Sequence, residues 1–508
     1  MIIQSTEYDT AHCTPTRIHC YNGIFCGKME DAVCSFLGVP YAEKPIGALR
    51  FKRPQKAKKS DALISATAFG PAPLQKCDDK TKGLQNQSED CLYLNIWVHG
   101  AFPEKKRPIL VFFHGGYFRV GATSQPIYDG HAFVVANPDV ILITVGTRLG
   151  ILGFIDLRSL PGGECFPDCN MGLLDMCLAL AWIRDNAEAF MGDPDAITIF
   201  GNSSGASCVS LLSCMPEAKG LFRRCIVSSG SALMTSGAEE YALLQKELLT
   251  ETGIKRGEDL LRLPEKEMAH LVRGLHRFAC FPQRGMQGVP EDPLAACASL
   301  SFGHIDYLLG TAFNEFGYWI PEAGGIEAFY TRVLPGLFLF AMQNMDGLSD
   351  LLASYTKEVC GTRNEKMLSF MNDLIFHAPL FLQAKALSRT SRVFRYLLTY
   401  PVPQEGLGSC HMLETVLFFG THSERLFGDS PLPEHLVRQI QRLWVDFARF
   451  GSFPTLPSWK TVAESPQSVM LLDEKPTFAP DPLAKRLACM EPIVAASHLG
   501  ERFQSFVP

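Results

Sequence analysis

The residues best suited to covalent chemistry lie in AITIFGNSSGASCVSLLSC, where a strand-like run leads into residues 201–205 (GNSSG) and then into a helix-like run. This is the G-x-S-x-G pattern in the strand-turn-helix setting that makes it informative. The two glycines allow a sharp turn and leave the central serine at its tip, beside the positive end of the helix. The pattern predicts that Ser203 is a nucleophile for acyl transfer. Ser204, the nearest alternative hydroxyl, lies outside the central position.

An acyl-transfer nucleophile needs hydrogen-bond donors for the negative oxygen that develops on its substrate. The stretch ILVFFHGGYFRVGA supplies a candidate, because a strand-like run is followed directly by His-Gly-Gly-Tyr at 114–117. Glycines let such a loop turn its N–H groups into a pocket. The amides of Gly116 and Tyr117, together with that of Ser204, are therefore predicted to form an oxyanion hole.

A general base and an orienting acid should follow downstream, in the order serine, acid, histidine. His411 is the preferred base because it follows a strand-like run and a Pro- and Gly-containing loop; His422, also in a loop, is the second candidate. His377, within LIFHAPLFL, reads as a satisfied core histidine. Glu315 is the preferred acid because it too follows a strand-like run, with solvated carboxylates such as Glu322 as alternatives. The preferred residues thus follow strand ends, where open parallel sheets place their sites.

Strand-like and helix-like runs alternate along the chain, which indicates an α/β protein. The strand-like runs lie at 91–98, 109–113, 140–145, 196–200, 225–230, 305–311 and 392–400. The second to fourth are apolar on both faces, as strands of a covered parallel sheet must be. Segments 236–300 and 321–390 read as mostly helical excursions over the sheet, and PEHLVRQIQRLWVDFARFG reads as an amphipathic helix ended by Gly451. Because no linker or repeat interrupts the pattern, we expect one domain over 1–508, with a large, mostly parallel central sheet and helices on both faces.

Composition excludes several classes of protein. The chain has 508 residues, 47% hydrophobic and 20% charged, which does not fit a disordered or low-complexity protein. A net charge of −6 without a basic block argues against a nucleic-acid partner, and no apolar run reaches the roughly 18 residues of a membrane span. The start of the chain shows no secretory pattern, so most of its 17 cysteines are expected to be thiols in the cytoplasm. Their spacing does not fit a zinc site, and no metal or other cofactor is expected.

Several stretches resemble the type-B carboxylesterase and cholinesterase family of α/β-hydrolases, in family order from about residue 34 to about residue 420. The most specific are SEDCLYLN and NMGLLDMCLALAWIRDNAEAFMGDPDAITIFGNSSGAS, supported by FLGVPYAEKPIGALRFKRPQ, FFHGGYF, NEFGYWIP and the His411-x-x-Glu414 stretch. NEFGYWIP is most similar to the mammalian-type carboxylesterase form of this motif. Matched residue by residue, the resemblance implies that Ser203 is the nucleophile, Glu315 the triad acid and His411 the base.

The resemblance also implies two internal ion pairs, Arg50 with Glu89 and Arg148 with Asp175, each bracing a loop near the site. It implies an α/β-hydrolase fold and a reaction that needs no cofactor.

The chain departs from the family pattern at several positions. Asn202 stands where the family usually has glutamate, and the loop from Cys77 to Cys91 contains no tryptophan, so a site for a quaternary ammonium ion is not expected. Tyr117 replaces the third glycine of the oxyanion loop, which predicts a narrower or aromatic-walled pocket. Cys77 and Cys91 match the first disulfide of secreted members, but thiols are expected here.

The favoured function is a serine hydrolase that cleaves small carboxylic esters through an acyl-enzyme, acting as a monomer or a homodimer. Its activity should fall below about pH 6 to 6.5, where an unperturbed histidine becomes protonated. Amides, carbamates, thioesters and lactones stay open as bond types. The alternative is a catalytically weak or silent member of the same fold that serves as a binding or scaffold protein. A peptidase is a third interpretation, against which no gating domain is visible.

Overall fold

The computed structural model describes residues 16–76, 84, 86–100, 105–275, 280–299, 304–342 and 348–496. Its strands are β1 (Arg17–Cys20), β2 (Gly23–Cys26), β3 (Lys28–Glu30), β4 (Val33–Pro40), β5 (Leu63–Ser65), β6 (Ala72–Pro73), β7 (Gln87–Ser88), β8 (Tyr93–His99), β9 (Arg107–Phe113), β10 (Ile141–Val145), β11 (Gly192–Asn202), β12 (Arg224–Ser228), β13 (Asp306–Ala312), β14 (Val393–Leu398), β15 (Ser468–Leu472) and β16 (Thr477–Pro480).

The helices alternate with these strands along most of the chain. They are α1 (His131–Ala136), α2 (Gly150–Phe154), α3 (Met171–Asn186), α4 (Ser204–Leu212), α5 (Ala238–Thr252), α6 (Glu265–Gly274), α7 (Pro293–Ala298), α8 (Ile326–Ala328), α9 (Leu334–Met342), α10 (Leu348–Glu358), α11 (Arg363–Asn372), α12 (Ala378–Leu387), α13 (Leu413–Phe419), α14 (Glu424–Phe427), α15 (Glu434–Phe450) and α16 (Ala484–Ala496). Two π-helical segments, Phe329–Val333 and Asp373–His377, precede α9 and α12. Within the described ranges, none of the helices is long and apolar enough to cross a membrane.

Eleven strands form one sheet in the order β16-β15-β14-β13-β12-β11-β9-β10-β8-β4-β3. Seven neighbours, from β15 to β10, run parallel, and antiparallel strands flank them at both sides. The remaining strands form two small sheets, β1-β2-β5 and β6-β7. The expected α/β class with a large, mostly parallel sheet is confirmed.

The central strands are buried on both faces, which explains their continuous apolar runs. Every residue of β10 is buried, as are Ile109–Phe113 at the end of β9. Helix α15 packs its buried Leu443, Trp444 and Phe447 face toward β9 and β11, and it ends at Gly451, whose φ of 62° is left-handed. This confirms the amphipathic helix and its glycine stop.

Each predicted strand is present, with shifted ends. Strand β11 is longer than the apolar run at 196–200, because Gly192 already pairs with Arg107 before a register shift leads into the Ile197 pairing. The parallel strands present their carboxyl ends at one edge of the sheet. The residues at those ends are Phe113, Val145, Asn202, Ser228, Ala312, Leu398 and Leu472.

Candidate active site

Ser203 occupies the turn between β11 and α4 in a strained conformation. Its φ and ψ are 59° and −129°, outside the regions open to most L-residues. Two hydrogen bonds fix this conformation: the Ser203 N–H donates to the Ser228 carbonyl (2.9 Å), and the Ser203 carbonyl accepts from the Ser207 N–H (3.0 Å). The strain is therefore borne by strand pairing on one side and by the helix on the other.

The glycines of this turn are required by close backbone approaches. A methyl group on Gly205 would lie 2.1 Å from the Phe113 carbonyl oxygen, and one on Gly201 would lie 2.6 Å from the Gly205 carbonyl carbon. On Gly115 of the neighbouring loop it would lie 3.0 Å from the Ser203 Cβ. The loop after β9 and the turn after β11 thus pack directly against each other.

The predicted oxyanion loop is a tight left-handed turn. Gly116 has a φ of 121° and Tyr117 a φ of 55°, and the Arg119 and Val120 amides both donate to the Gly116 carbonyl at 3.0 Å. Ser204 is the first residue of α4, where an amide has no partner within its own helix. The contact between Gly115 and Ser203 brings this turn beside the start of α4.

Glu315 and His411 form a direct pair. Glu315 is fully buried just beyond β13, and the His411 Nδ1–H donates to its Oε2 at 2.6 Å. The other carboxylate oxygen, Oε1, accepts from the Ala312 amide (2.8 Å) and from the Ser229 hydroxyl (2.6 Å). This arrangement fixes the histidine tautomer and leaves Nε2 as the ring nitrogen that can take a proton.

The pairing of β13 with β14 explains why these two side chains meet. The strands are parallel neighbours, and Ala312 stands opposite Leu398 at their carboxyl ends. Beyond the strands, the Asn314 amide donates to the Ser409 carbonyl at 2.7 Å. The two loops therefore run side by side.

The alternative base and acid lie in other environments. His422 has its Nε2 3.1 Å from the Ser430 carbonyl, in an exposed loop. Glu322 is paired with Arg425 at 2.6 Å.

Ser203 borders a narrow cavity of about 60 Å³ whose lining is mostly apolar. The rings of Trp319 and Phe376 line this cavity and also pack on His411, with centroid distances of 5.2 and 5.1 Å. These rings join Ser203 and His411 to one site. The Ser203 hydroxyl makes no hydrogen bond to His411 within the described chain; such bonds are often long without substrate. The remaining apolar walls are Tyr117, Phe118, Met234, Phe281, Phe316 and Ile375.

Two of the departures from the family pattern, Tyr117 and Asn202, lie in the site. Tyr117 lines the cavity, with its ring 6.3 Å from that of Trp319, so the predicted aromatic wall is confirmed. Asn202, immediately before Ser203, is 1% exposed, and both its amide oxygen and nitrogen lack a hydrogen-bond partner among the described residues.

Glu414 is a second buried carboxyl group whose position the sequence did not predict. It accepts a hydrogen bond of 3.3 Å from the Tyr396 hydroxyl through Oε1. Burial, followed by the nearby charge of Glu315, raises the pKa of Glu414 to about 8, so it is mostly neutral at pH 7. The only sequence signal was its place three residues after His411. Its burial follows from α13, which the sequence did not place.

The two predicted ion pairs are confirmed. Arg50 contacts Glu89 with two hydrogen bonds of 2.5 Å, and Arg148 contacts Asp175 at 2.9 and 2.6 Å. All four side chains are buried. Arg148 also donates to the Lys52 carbonyl at 2.8 Å, so both pairs brace the chain around residues 50–52.

Of the two predicted thiols, Cys77 and Cys91, the structure describes one. Cys77 lies outside the described residues, and Cys91 is a buried free thiol whose pKa burial raises well above its usual range. Cys20, Cys26 and Cys34 lie on β1, β2 and β4 as free thiols.

Known proteins resemble this chain in sequence and in architecture. The sequence pattern of the "Carboxylesterase family" matches residues 16–490. A para-nitrobenzyl esterase of Bacillus subtilis (strain 168) is 32% identical over 91% of this chain and 95% of its own. An acetylcholinesterase of Bungarus fasciatus is 31% identical over 88% of this chain and 81% of its own.

Solved structures agree with these relatives. A PNB esterase structure superposes with a TM-score of 0.81 at 30% identity, covering 93% of this chain and 99% of that one. A carboxylesterase from Geobacillus stearothermophilus superposes with a TM-score of 0.80 at 29% identity, with the same coverage. This chain therefore belongs to the carboxylesterase family, has the α/β-hydrolase fold and is a carboxylic ester hydrolase.

Proposed function

We propose that the chain hydrolyses small carboxylic esters with Ser203 as nucleophile, His411 as general base and Glu315 as the orienting acid. The observation that carries the proposal is the 2.6 Å hydrogen bond from His411 to Glu315, buried beside the cavity on which Ser203 opens. The strained turn at Ser203 supports it, because strain of this kind is kept where a function requires it.

The steps follow from the residue types. His411 Nε2 takes the proton of the Ser203 hydroxyl while Oγ bonds to the ester carbonyl carbon, and the amides of Gly116, Tyr117 and Ser204 stabilise the oxyanion. Collapse of the tetrahedral intermediate breaks the bond to the alcohol oxygen, which leaves with the proton from His411. Water, deprotonated by His411, then attacks the acyl-enzyme, and the acid product leaves with Ser203 regenerated.

The cavity supports a short or flat acyl group as the preferred substrate. Its volume of about 60 Å³ and its aromatic walls suit a small apolar group. Tyr117 contributes to this narrowness. Asn202 precedes the nucleophile, so this position offers no carboxylate to attract a quaternary ammonium group. A quaternary ammonium ester is therefore not the proposed substrate.

Hydrolysis of p-nitrophenyl esters from acetate to octanoate, by the wild type and Ser203→Ala, tests this function. We expect the alanine variant to lose roughly 10⁴-fold or more in kcat, the scale seen when a triad serine is removed. Equal inactivity of two folded samples would instead favour the silent binding or scaffold protein. Retained activity in Ser203→Ala would overturn the assignment of the nucleophile.

We further propose that residues 1–508 form one domain, which acts as a monomer or homodimer in the cytoplasm and has no nucleic-acid partner. A single sheet with strands from β3 to β16 supports the one domain, and the net charge of −6 supports the last point. The many buried thiols, Cys34 and Cys208 among them, fit a reducing compartment. Sedimentation analysis of the purified chain distinguishes monomer from dimer.

A further inference from the structure

His377 is a buried histidine with a hydrogen-bond acceptor at each ring nitrogen. It lies at the end of the π-helical segment Asp373–His377 and is 3% exposed. Its Nδ1 is 2.7 Å from Asp373 Oδ1, and its Nε2 is 2.9 Å from the Ala312 carbonyl oxygen. The ring therefore connects this helical segment to the last residue of β13.

The partners decide how many protons the ring carries. A carbonyl oxygen can only accept, so Nε2 must carry a hydrogen. Asp373 Oδ2 accepts from the Tyr355 hydroxyl (2.6 Å) and forms an ion pair with Arg486 (2.8 Å). A hydroxyl donor and a guanidinium both favour the ionised carboxylate, so the remaining proton belongs on Nδ1.

We propose that His377 is held as a doubly protonated imidazolium and is the positioning residue for Glu315. Its Nε2–H fixes the Ala312 carbonyl, while the amide of the same residue donates to Glu315 Oε1 at 2.8 Å. Asn372, immediately before the π-helical segment, accepts from the Phe316 amide at 2.9 Å. The π-helical segment and the residue before it thus contact the backbone on both sides of Glu315, at Ala312 and at Phe316. The proposal rests on Glu315 being the triad acid.

The charged groups on the surrounding elements are paired with one another. Arg486 contacts Asp373 at 2.8 Å, and Arg395 and Asp481, which border a gap of about 10 Å³ beside the ring together with Tyr396, form an ion pair of 2.6 Å. The two arginines and the two carboxylates therefore balance. The carboxylate that contacts the ring itself is Asp373, at 2.7 Å from Nδ1, and this direct contact favours a proton on that nitrogen.

The protonation state can be read in the full chain labelled with ¹⁵N-histidine, with the His377 signals assigned by their loss in His377→Gln. We expect two ring N–H groups on His377 in the resting protein at pH 7. A single protonated ring nitrogen would overturn the imidazolium. This measurement needs no substrate, so it stands even if Ser203→Ala shows the proposed function to be wrong.

The positioning role is tested by His377→Phe, which removes both donors, and His377→Gln, which keeps one donor for the Ala312 carbonyl. Because a misplacement of about 1 Å can cost on the order of 100-fold, we expect His377→Phe to lower kcat for p-nitrophenyl acetate roughly 10- to 100-fold. We expect KM to change little and the His411 Nδ1 proton signal to shift.

His377→Gln should retain more activity than the phenylalanine variant, and His422→Gln, in an exposed loop, serves as the control with unchanged activity. A folded His377→Phe with wild-type kcat and an unmoved His411 signal would overturn the role. If the phenylalanine variant does not fold, His377→Asn decides, because its shorter side chain loses the donor to the Ala312 carbonyl. Wild-type kcat with a wild-type His411 signal in a folded His377→Asn would contradict the positioning role.

Discussion

Several residues around the proposed triad have strained backbone conformations. Ser203, Ser229 and Met412 are non-glycine residues with φ values of 59°, 56° and 72°, and Tyr117 and Phe118 of the oxyanion loop have 55° and 59°. Each such residue costs on the order of 1 to 3 kcal/mol and persists only where its surroundings dictate it. Ser229 shows the use of this strain, because its hydroxyl donates to Glu315 at 2.6 Å. The site is therefore held in place by the rest of the fold.

Replacing Tyr117 with glycine should widen the range of acyl groups. The change removes a ring from the cavity wall and relieves a left-handed conformation that suits glycine. We expect the ratio of kcat/KM for octanoate over acetate esters to rise roughly 10-fold or more, since one methylene in a hydrophobic pocket is already worth about 10-fold at the low end. Tyr117→Phe, which keeps the ring, should retain the wild-type ratio. An unchanged profile in Tyr117→Gly would contradict the assigned wall.

Glu414→Gln should alter how stability depends on pH. The pKa of Glu414 is raised to about 8 in the folded chain, against an ordinary value near 4.5, so the folded state binds the extra proton between these values. The free energy of unfolding of the wild type should therefore fall, relative to the glutamine variant, as the pH rises from about 5 to about 8. The expected relative loss is a few kcal/mol. Urea unfolding at pH 5, 6.5 and 8 measures it, and parallel curves for the two proteins would contradict it.

The sequence points to those residues of the proposed site whose placement depends on local chain geometry. Ser203 could be predicted because strand, glycines and helix adjoin it, and Glu315 and His411 because each follows a strand end. The hydrogen bond from His377 to the Ala312 carbonyl could not be predicted, because it joins residues 65 positions apart in the chain. The raised pKa of Glu414 likewise depends on burial by elements remote in the chain.

At the scale of elements, two glycines that end helices differ in how closely they pack against the sheet. Gly253 and Gly451 both end helices with left-handed φ values of 65° and 62°. A methyl group on Gly253 would meet nothing within 4 Å, whereas on Gly451 it would lie 2.4 Å from Asp306 Oδ2. Asp306 starts β13 and is paired with Arg392 at 2.8 Å.

We therefore expect Gly253→Ala to lower the free energy of unfolding by about 1 kcal/mol, the cost of the left-handed conformation. Gly451→Ala should cost roughly 1 kcal/mol more, because Asp306 must move away from its arginine. Urea unfolding of both variants measures the difference. Equal losses would mean that the start of β13 tolerates the displacement.

Strand positions were more predictable than strand ends. The apolar runs gave the centres of β9, β10 and β11, since burial on both faces requires them. The extension of β11 back to Gly192 depends on a pairing with Arg107, which no local pattern encodes. The same reason applies to the helical excursions, whose packing over the site is set by tertiary contacts.

At the scale of the whole molecule, buried ion pairs join distant parts of the chain. Arg148 links the loop after β10 to α3 through Asp175 and to the first 60 residues through the Lys52 carbonyl. Removing one partner of such a pair leaves an uncompensated buried charge, which typically costs 3 to 5 kcal/mol.

Arg148→Met should therefore lower the free energy of unfolding by about 3 to 5 kcal/mol. Arg438→Met is the matched control, because Arg438 and Glu434 form an ion pair with 77% and 81% of their side-chain surfaces exposed. That exposed pair should contribute less than about 1 kcal/mol. Chemical unfolding of both variants provides the comparison. Similar losses in the free energy of unfolding would show that the buried pair contributes no more to stability than the exposed one.

The close packing of backbones around Ser203 also bears on how this catalyst can be altered. Gly115, Gly201, Gly205 and Gly230 each face backbone or Cβ atoms within 3.0 Å of where a methyl group would lie. Random mutagenesis aimed at new substrates should therefore return almost no survivors at these four positions. Useful diversity should accumulate in the ring of side chains that walls the cavity, because those residues can change shape without moving the chain. A library restricted to Tyr117, Phe281, Phe316 and Ile375 would explore new specificities at the smallest loss of folded protein.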